Sequence, residues 1–366
     1  MISRKFGLTS KNIKQKKSVM KKKETSRITI KDIAKSLNLS TATISRVLSN
    51  HPAISENTKK IVNDKVKELG FSLDPIASSF RSKKTKSIGV ICPRIDIDFH
   101  SKVISGIEEY AYKQGYQITI FQSHDSYVKE KEIVQMLETS LAAGIIICPG
   151  LETKRYEHLK KLSKSNIPLV VYDRSSENLK ASKVIINDFE ASYNATSHLI
   201  QQGCKNIAHI AGNQNVDIFK FRLAGFKKAL AEKQLHIHDQ LIRETKNLSY
   251  EEGKTQAEAL LECDPRPDGI VCANDYTAAA ALKVFKNKGL RIPEDVAIIG
   301  FSNYPISSIL EPQISTIDDS SYDMGLVAAK ILIQQIEDKD MQKMDYQEII
   351  IKTNLLVRRS SDRSQS

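Results

Sequence analysis

The sequence predicts a small all-α head followed by a larger α/β body of two lobes with doubly wound parallel sheets. Amphipathic helical patterns fill residues 28–69, and after residue 86 apolar strand-like runs alternate with helical patterns. The charge divides in the same way: residues 1–86 hold 21 Lys or Arg and 6 Asp or Glu, whereas residues 87–366 hold 34 and 37. A strongly basic end on a nearly neutral body is typical of a polyanion-binding module joined to another function.

Residues 1–27 are expected to form a basic, disordered tail before the first folded element. They contain many Lys and Arg but no apolar stretch of the kind found in a secretory signal. No run of eighteen apolar residues occurs in the chain, so no membrane span is predicted. A translation start at Met20 instead of Met1 stays open.

The first helix of the head is indicated by four apolar residues at the spacing i, i+3, i+4 and i+7: Ile30, Ile33, Ala34 and Leu37. Thr29 is a suitable N-cap, and the carboxylate of Asp32 in the first turn favours the helix dipole. Asn38 follows, and asparagine tolerates the left-handed backbone that turns a chain out of a helix.

A second helix is predicted after Ser40, with an apolar face of Ile44, Val47 and Leu48. Two short helices joined by three or four residues form a helix-turn-helix, whose second helix enters the major groove of DNA. The outward face of this second helix carries short or basic side chains: Thr41, Ala42, Thr43, Ser45 and Arg46. Arg46 can donate to guanine or phosphate, and threonine methyl groups can meet thymine methyl groups.

A third helix is predicted to begin after Ser55 and to run to Leu69, with Gly70 ending it. Its inward face is expected to carry four apolar residues: Ile61, Val62, Val66 and Leu69. The three helices complete a head over residues 28–73.

This head resembles the lactose/galactose-repressor (LacI/GalR) family of transcription regulators, without gaps. The resemblance is carried by residues 28–93, ITIKDIAKSLNLSTATISRVLSNHPAISENTKKIVNDKVKELGFSLDPIASSFRSKKTKSIGVICP, and continues over nearly all of the following chain. It implies that Thr41, Ala42 and Arg46 face bases. It also implies contacts to base edges or phosphates from four hydroxyl side chains: Thr29, Ser40, Thr43 and Ser45.

Residues 74–86 are expected to form a linker, which in this family folds into a hinge helix on operator DNA. The resemblance places Phe80 where the family usually has a leucine that wedges into the minor groove. The alternative is that Phe80 packs against the body. Arg81, Lys83, Lys84 and Lys86 are expected to contact phosphates and to supply affinity that does not depend on sequence.

The body, residues 87–357, shows eight strand-like runs separated by helical patterns. They are residues 87–92, 116–121, 144–148, 169–172, 184–186, 206–211, 269–272 and 296–300. Apolar strands alternating with helices predict parallel sheets covered on both faces, with ligands bound beyond the carboxyl ends of the strands. Residues 358–366 are expected to be a polar tail.

No catalytic or metal-binding signature accompanies these patterns, so no enzyme activity and no cofactor is predicted. The chain contains no phosphate-binding glycine loop and no nucleophile elbow. Its five widely spaced cysteines are interpreted as reduced core residues of a cytoplasmic protein.

By the resemblance, the body is a periplasmic-binding-protein-like sensor with an effector in the cleft between its lobes. Arg222, in the string RLAGF, matches the family's effector-clamping arginine. Ser302 stands where the family usually has Asp, so one hydrogen bond is either missing or made by Asn303. The other candidates follow strand ends or match the family: Phe99, His100, Ser123, Asp173, Arg174, Asn187, Asn274 and Asp275. Helix capping or loop solvation is the alternative role for such polar residues, and it weighs most for Ser123, Asp125 and Asp188.

The resemblance implies a homodimer that binds pseudo-palindromic double-stranded operator DNA under the control of a small-molecule effector. A sugar or a sugar acid is expected, because Arg174, Arg222 and His100 together suit an anion, although Arg222 also suits neutral hydroxyl groups. Residues 338–366 lack leucine heptads, which favours a dimer over a tetramer. A sugar-binding protein without a role on DNA, and an enzyme on a doubly wound fold, are the competing interpretations.

Overall fold

The structure, a computed structural model, describes residues 28–48, 51–71, 86–338 and 345–364. The chain divides into two compact units, Met1–Ser78 and Ser79–Ser366, and each is described separately. Among the described residues, no helix has the length and apolar character required to cross a membrane.

The described residues of the first unit form three helices: α1 (Ile30–Leu37), α2 (Thr41–Leu48) and α3 (Glu56–Glu68). Their side chains meet in a small core of Ile33, Ala34, Ile44, Val47 and Val62. The expected helices are therefore confirmed, together with most of their inward residues. One residue was assigned wrongly: Ile61 is 48% exposed, because its neighbour Val62 takes the core position on α3.

The ends of these helices are fixed by local side-chain hydrogen bonds. The Thr29 backbone N–H donates to Asp32 Oδ2 at 2.8 Å, and the Asp32 N–H returns a bond to Thr29 Oγ1 at 3.4 Å. Asn38 has φ 53° and ψ 39°, the left-handed conformation expected at the end of α1. Ser40 Oγ accepts from the Thr43 N–H at 3.0 Å and so caps α2. Each cap satisfies a donor that the first turn of a helix leaves unpaired.

The second unit begins with a six-stranded parallel sheet, which forms the first lobe. Its strands are β1 (Ser87–Cys92), β2 (Gln117–Gln122), β3 (Gly144–Ile147), β4 (Leu169–Tyr172), β5 (Ser182–Ile186) and β11 (Glu348–Ile351), in the order β11-β5-β4-β3-β1-β2. The accompanying helices are α4 (Asp98–Lys113), α5 (Tyr127–Thr139), α6 (Glu157–Lys160) and α12 (Ser321–Glu337). Strands β3 and β4 are buried throughout, as expected of parallel strands covered by helices.

The second lobe has a sheet of the order β12-β10-β9-β8-β6-β7. Its strands are β6 (Ile207–Ala211), β7 (Ile242–Glu244), β8 (Gly269–Cys272), β9 (Ala297–Phe301), β10 (Ser315–Asp318) and β12 (Asn354–Leu356). All described pairs are parallel except β10 with β12. Its helices are α7 (Asp188–Gln201), α8 (Asp217–Glu232), α9 (Tyr250–Leu261), α10 (Asp275–Asn287) and α11 (Pro305–Ile309).

The chain passes between the two lobes three times. The crossings lie between β5 and α7, between β10 and α12, and between β11 and β12. Close packing within each lobe requires glycines on its helices: a Cβ on Gly106 would lie 2.1 Å from the Tyr322 carbonyl oxygen, and one on Gly225 would lie 2.1 Å from that of Phe189. The α4–α12 and α7–α8 pairs therefore approach backbone to backbone.

All eight expected strands are present, with ends shifted by up to two residues, but four further strands were missed. Strands β7, β10, β11 and β12 have only three or four residues each, and each begins or ends with a polar residue. The expected polar tail from residue 358 also differs in the structure. Ser360 and Ser361 are fully buried, and Ser360 Oγ donates to the Ile298 carbonyl at 2.6 Å. These serines pair with the backbone of the second lobe, so their polarity does not indicate a solvated tail.

Candidate functional site

The outward face of α2 forms the candidate DNA-reading surface of the head. Thr41, Ala42 and Arg46 are exposed, whereas Thr43 and Ser45 are partly buried. The helix contains no acidic residue that would repel phosphate. Short exposed side chains at the start of a helix, with one arginine in its last turn, suit entry into a major groove.

Two hydroxyl residues near this surface already have structural roles. Ser40 caps α2, and its hydroxyl lies 2.9 Å from that of Thr43. Thr29 caps α1 and donates from its hydroxyl to Asp32 at 2.7 Å. Phe80, Arg81 and Lys84 lie outside the described residues, so the hinge prediction stays a prediction.

A cavity of about 320 Å³ lies between the lobes of the body, at the carboxyl ends of their strands. Seven of the ten predicted effector residues line it: Phe99, His100, Asp173, Arg174, Arg222, Asn274 and Ser302. They come from loops or helix starts that follow strands of both sheets, and the parallel topology brings them together.

The other three predicted effector residues do not line the cavity. Ser123 is fully buried, and its hydroxyl has no hydrogen-bond partner within the described part of the chain. Asn187 caps α7 by accepting from the Glu190 N–H at 3.1 Å. Asp275 is buried, and it accepts from the Tyr304 N–H at 2.6 Å and from Thr316 Oγ1 at 2.7 Å. Each position follows a strand, but burial of Ser123 and Asp275 and helix capping by Asn187 keep these side chains out of the cavity.

Arg222 is held rigidly in the wall that the second lobe provides. Its Nε donates to Asp188 Oδ1 at 2.7 Å, and its Nη1 donates to the Ala273 carbonyl at 2.8 Å. The ring centre of Phe301 lies 3.5 Å from the guanidinium carbon. Nη2 has no hydrogen-bond partner among residues 28–48, 51–71, 86–338 and 345–364. This fixed guanidinium can therefore donate to a bound ligand.

The arginines of the first-lobe wall are also paired with carboxylates. Arg174 Nη1 donates to Asp125 Oδ1 at 2.7 Å, and Arg174 Nε lies 3.8 Å from Asp173 Oδ2. Arg94 Nη2 lies 2.6 Å from Asp96 Oδ2 in a pair that is partly exposed to solvent. The positive charges of this wall are thus already compensated by protein groups.

His100 does not add a positive charge to the cavity. Its Nδ1 lies 3.2 Å from the Tyr172 hydroxyl, and its ring packs edge-on to Phe99. Burial, together with the charge of Arg174, holds the pKa of His100 well below its usual value. The imidazole is therefore neutral at physiological pH.

Buried carboxylates are more numerous than their cationic partners on the second-lobe side. Burial raises the pKa of Asp188 to about 6, although Arg222 opposes the shift. Burial also raises the pKa values of Asp275 and Asp319 to about 7. This wall therefore exchanges protons within the physiological pH range.

Several cavity residues were missed by the sequence analysis. They are Arg94, Asp96, Phe219, Tyr276, Tyr304, Asp319 and the loop of residues 246–250. Asp96 follows the predicted strand β1, so the expectation that ligands bind beyond the carboxyl ends of strands could have identified it. Asp319 and the 246–250 loop follow β10 and β7, which were not predicted as strands.

In the described part of the body, two hydrogen bonds join helix α4 of the first lobe to the second lobe. Tyr276 Oη on α10 donates to Asp98 Oδ2 on α4 at 3.1 Å. Lys102 Nζ on α4 donates to the Asn303 carbonyl after β9 at 2.8 Å. Both bonds depend on the relative position of the lobes.

A head with an exposed recognition helix and a two-lobed body with a polar cavity define a ligand-responsive DNA-binding regulator. Residues 29–73 match the family described as "Bacterial regulatory proteins, lacI family". Residues 85–358 match "Periplasmic binding proteins and sugar binding domain of LacI family". The chain belongs to the LacI family.

Individual relatives agree with this assignment. The HTH-type transcriptional repressor PurR of Vibrio atlanticus (strain LGP32) is 32% identical over 86% of this chain and 94% of its own length. The ribose operon repressor of Halalkalibacterium halodurans is 33% identical over 91% of this chain and 97% of its own length. The crystal structure of the lac repressor dimer bound to operator and the anti-inducer ONPF has a TM-score of 0.81 at 22% identity, and it covers 91% of this chain and 99% of that one.

The predicted fold class and function are confirmed. The chain has an N-terminal helix-turn-helix and a two-lobed α/β body with parallel sheets. It is a DNA-binding transcription regulator, and its relatives are transcriptional repressors, not enzymes.

Proposed function

We propose that this protein is a homodimeric repressor that acts in the cytoplasm at the nucleoid and binds a pseudo-palindromic operator. The observation that carries the proposal is the presence, in one chain, of the α2 surface around Arg46 and of a polar cavity between two lobes. Each head reads one half-site through α2, with Thr41, Ala42 and Arg46 toward the bases. Phe80 of each protomer wedges into the central minor-groove step, and Arg81 and Lys84 contact phosphates.

The cavity controls DNA binding through the relative position of the lobes. A ligand held between Arg174 of the first lobe and Arg222 of the second favours one arrangement of the lobes. The cross-lobe bonds from Tyr276 and Lys102 respond to that arrangement. Because the ligand and the operator favour particular arrangements, their affinities are thermodynamically linked.

The charge balance of the cavity favours a neutral sugar over a sugar acid. Asp125 pairs with Arg174, Asp188 pairs with Arg222, and His100 is neutral. An anionic ligand would have to compete with these carboxylates, whereas hydroxyl groups can accept from Arg222 Nη2 without displacing Asp188. Because both arginines are paired and His100 is neutral, we expect a polyhydroxylated neutral ligand and not an anion.

The DNA-reading role is tested by replacing Arg46 with alanine in the full-length protein. We expect Arg46→Ala to reduce discrimination between the selected operator and single-base variants by about 1–3 kcal/mol at the contacted position. The measurement is fluorescence anisotropy on an operator selected from random DNA, at several salt concentrations.

Lys84→Ala provides the contrast, since a phosphate contact carries no base preference. It should weaken binding to all sequences alike and lower the slope of affinity against salt by about one ion. If Arg46→Ala weakened all variants equally, α2 would not be reading bases through this residue.

A further inference from the structure

Asp319 lies at the inner end of the cavity, immediately after strand β10. It lines the cavity, although only 1% of its surface is exposed. Its Oδ1 accepts from the Ser321 N–H at 3.2 Å, and the side chain of Ser302 acts to lower the pKa of the same carboxyl group. The carboxyl group is thus oriented by its own loop and by the end of β9.

No cation of the described chain forms an ion pair with Asp319. The cation that faces it, Arg222, has its Nε bound to Asp188. The titratable and charged groups that influence Asp319 from the packed elements are Asp173 after β4, Arg222 on α8, Asp275 at the start of α10, Tyr304 before α11, and its neighbour Asp318. Only Arg222 among them is positive, so a buried carboxylate here lacks a full countercharge.

This shortage of positive charge explains the protonation of Asp319. Burial is the largest cause that raises its pKa to about 7, and the charges of Asp173 and Asp318 act in the same direction. Arg222 and the Ser302 hydrogen bond oppose the shift. Near neutral pH, part of the ligand-free protein therefore carries a neutral Asp319.

The position of Asp319 also bears on Ser302, which stands where the family usually has an aspartate. Asn303 was the expected substitute for the missing carboxylate, but Asn303 does not line the cavity. Its Oδ1 accepts from Arg358 Nη2 at 2.8 Å, and its Nδ2 lies 3.4 Å from Asp318. Asp319 instead reaches the Ser302 side chain from the neighbouring strand.

We propose that Asp319 is a specificity-determining residue of the effector cavity: as a carboxylate, it accepts a hydrogen bond from a hydroxyl or ammonium group of the ligand, and binding releases a proton near neutral pH. This inference rests on the proposed function, because it assumes that the cavity holds the effector. It adds the residue that selects the ligand and the pH dependence of that selection.

The proton balance follows from the two states of the carboxyl group. Where Asp319 is protonated before binding, its proton leaves to the buffer, and the carboxylate accepts the ligand's O–H or N–H. Arg222 Nη2, which is unpaired within the described residues, donates to a neighbouring ligand oxygen. A vicinal pair of sugar hydroxyl groups can satisfy both residues, whereas a ligand carboxylate at Asp319 would be repelled.

The experiment is isothermal titration calorimetry of the full-length protein with D-glucose, D-ribose, D-glucosamine and D-gluconate. Each titration is run from pH 6 to pH 8.5 in two buffers of different ionisation enthalpy, which gives the number of protons exchanged. We expect a neutral or amino sugar to bind, with a fraction of a proton released near pH 7 and an affinity that rises with pH. Asp319→Asn should weaken this binding by about tenfold or more and abolish the proton release.

Asp318→Asn is the matched control, because Asp318 adjoins Asp319 but does not line the cavity. It should keep the affinity at pH 8.5, where Asp319 is charged in both proteins, and still release protons near pH 7, though fewer, because the charge of Asp318 helps to raise the pKa of Asp319. Proton uptake on binding, an unchanged affinity in Asp319→Asn, or selective binding of D-gluconate would overturn the inference while leaving an effector cavity in place. If none of the four compounds bound, the sugar class of the proposed function would fail, and the inference would fall with it.

Discussion

The two walls of the effector cavity differ in how they balance charge. On the first-lobe wall, Arg94 pairs with Asp96 and Arg174 pairs with Asp125. On the second-lobe wall, a single arginine, Arg222, faces the buried carboxyl groups of Asp188 and Asp319, with Asp275 behind them. On the second wall, burial raises the pKa values of Asp275 and Asp319 to about 7, so its charge changes near neutral pH. The difference indicates that the second-lobe wall carries the pH sensitivity of the site.

The largest effect on the second-lobe wall is expected from Arg222→Ala. The substitution leaves Asp188 buried without its ion pair, and breaking a buried pair typically costs about 3–5 kcal/mol. We expect a loss of that size in the free energy of unfolding at pH 8, measured by urea denaturation, together with a loss of effector binding. The loss should shrink below pH 6, because a protonated Asp188 no longer needs a countercharge.

Arg222→Lys is the control for charge without the guanidinium geometry. It should recover part of the stability but not the ligand affinity, because an ammonium group cannot bridge Asp188, the Ala273 carbonyl and a ligand. If Arg222→Ala were no more destabilising than removal of the exposed Arg94, the buried carboxylates of the second-lobe wall would not depend on Arg222.

A smaller effect is expected from pH alone. The folded-state pKa values of Asp275 and Asp319, about 7, lie above the ordinary aspartate value, so the folded protein holds protons that the unfolded chain releases. Their stabilising contribution is complete below the unfolded pKa and is lost as pH rises through about 7. We expect these two groups to lower the free energy of unfolding of the ligand-free protein by about 1–2 kcal/mol from pH 6.5 to pH 8, since one pKa unit corresponds to about 1.4 kcal/mol.

The buried histidines act in the opposite direction at the acid end of this window. Burial lowers the pKa of His209 to about 4, so the folded protein loses stability as the pH falls through the usual histidine range, which overlaps the lower limit of the window. The histidines are the same in Asp319→Asn and in the unsubstituted protein, so the difference between the two proteins isolates Asp319, and the variant should lack about half of the fall that the two aspartates cause. A slope that stayed the same in this variant would show that Asp319 does not titrate there.

The parts of the molecule that the sequence predicts are those set by local signals. The helix caps at Thr29 and Ser40 are such signals, and with the apolar spacing they predict the helices of the head almost completely. In the body, the eight predicted strands have a clear apolar pattern. The residues that follow them include Asp173 and Arg174, which line the cavity on the side opposite Arg222. Asp319 was missed because β10, with the sequence STID, has no clear apolar pattern.

The ion pairs of the cavity could not be predicted from the sequence, because their partners are far apart along the chain. Arg174 and Asp125 are 49 residues apart, and Arg222 and Asp188 are 34 residues apart, so only the folded topology brings each pair together. Without those partners, Arg174, Arg222 and His100 looked like a cationic cluster that suits an anion. The structure shows two compensated arginines and a neutral imidazole.

The smallest effect is expected at the mouth of the first-lobe wall, from Arg94→Ala. The side chains of Arg94 and Asp96 are 42% and 62% exposed, and ion pairs in solvent contribute little because water screens them. We expect the free energy of unfolding to change by less than about 1 kcal/mol, and the slope of stability between pH 6.5 and pH 8 to stay that of the unsubstituted protein. The pKa of Asp96 is lowered mainly by its bond to Arg94, so any loss should appear only above the acid range in which Asp96 is protonated. Urea denaturation at pH 4, 6.5 and 8 measures both quantities. A change in the neutral-pH slope would mean that the first-lobe wall also titrates there, and the two walls would then be electrostatically coupled.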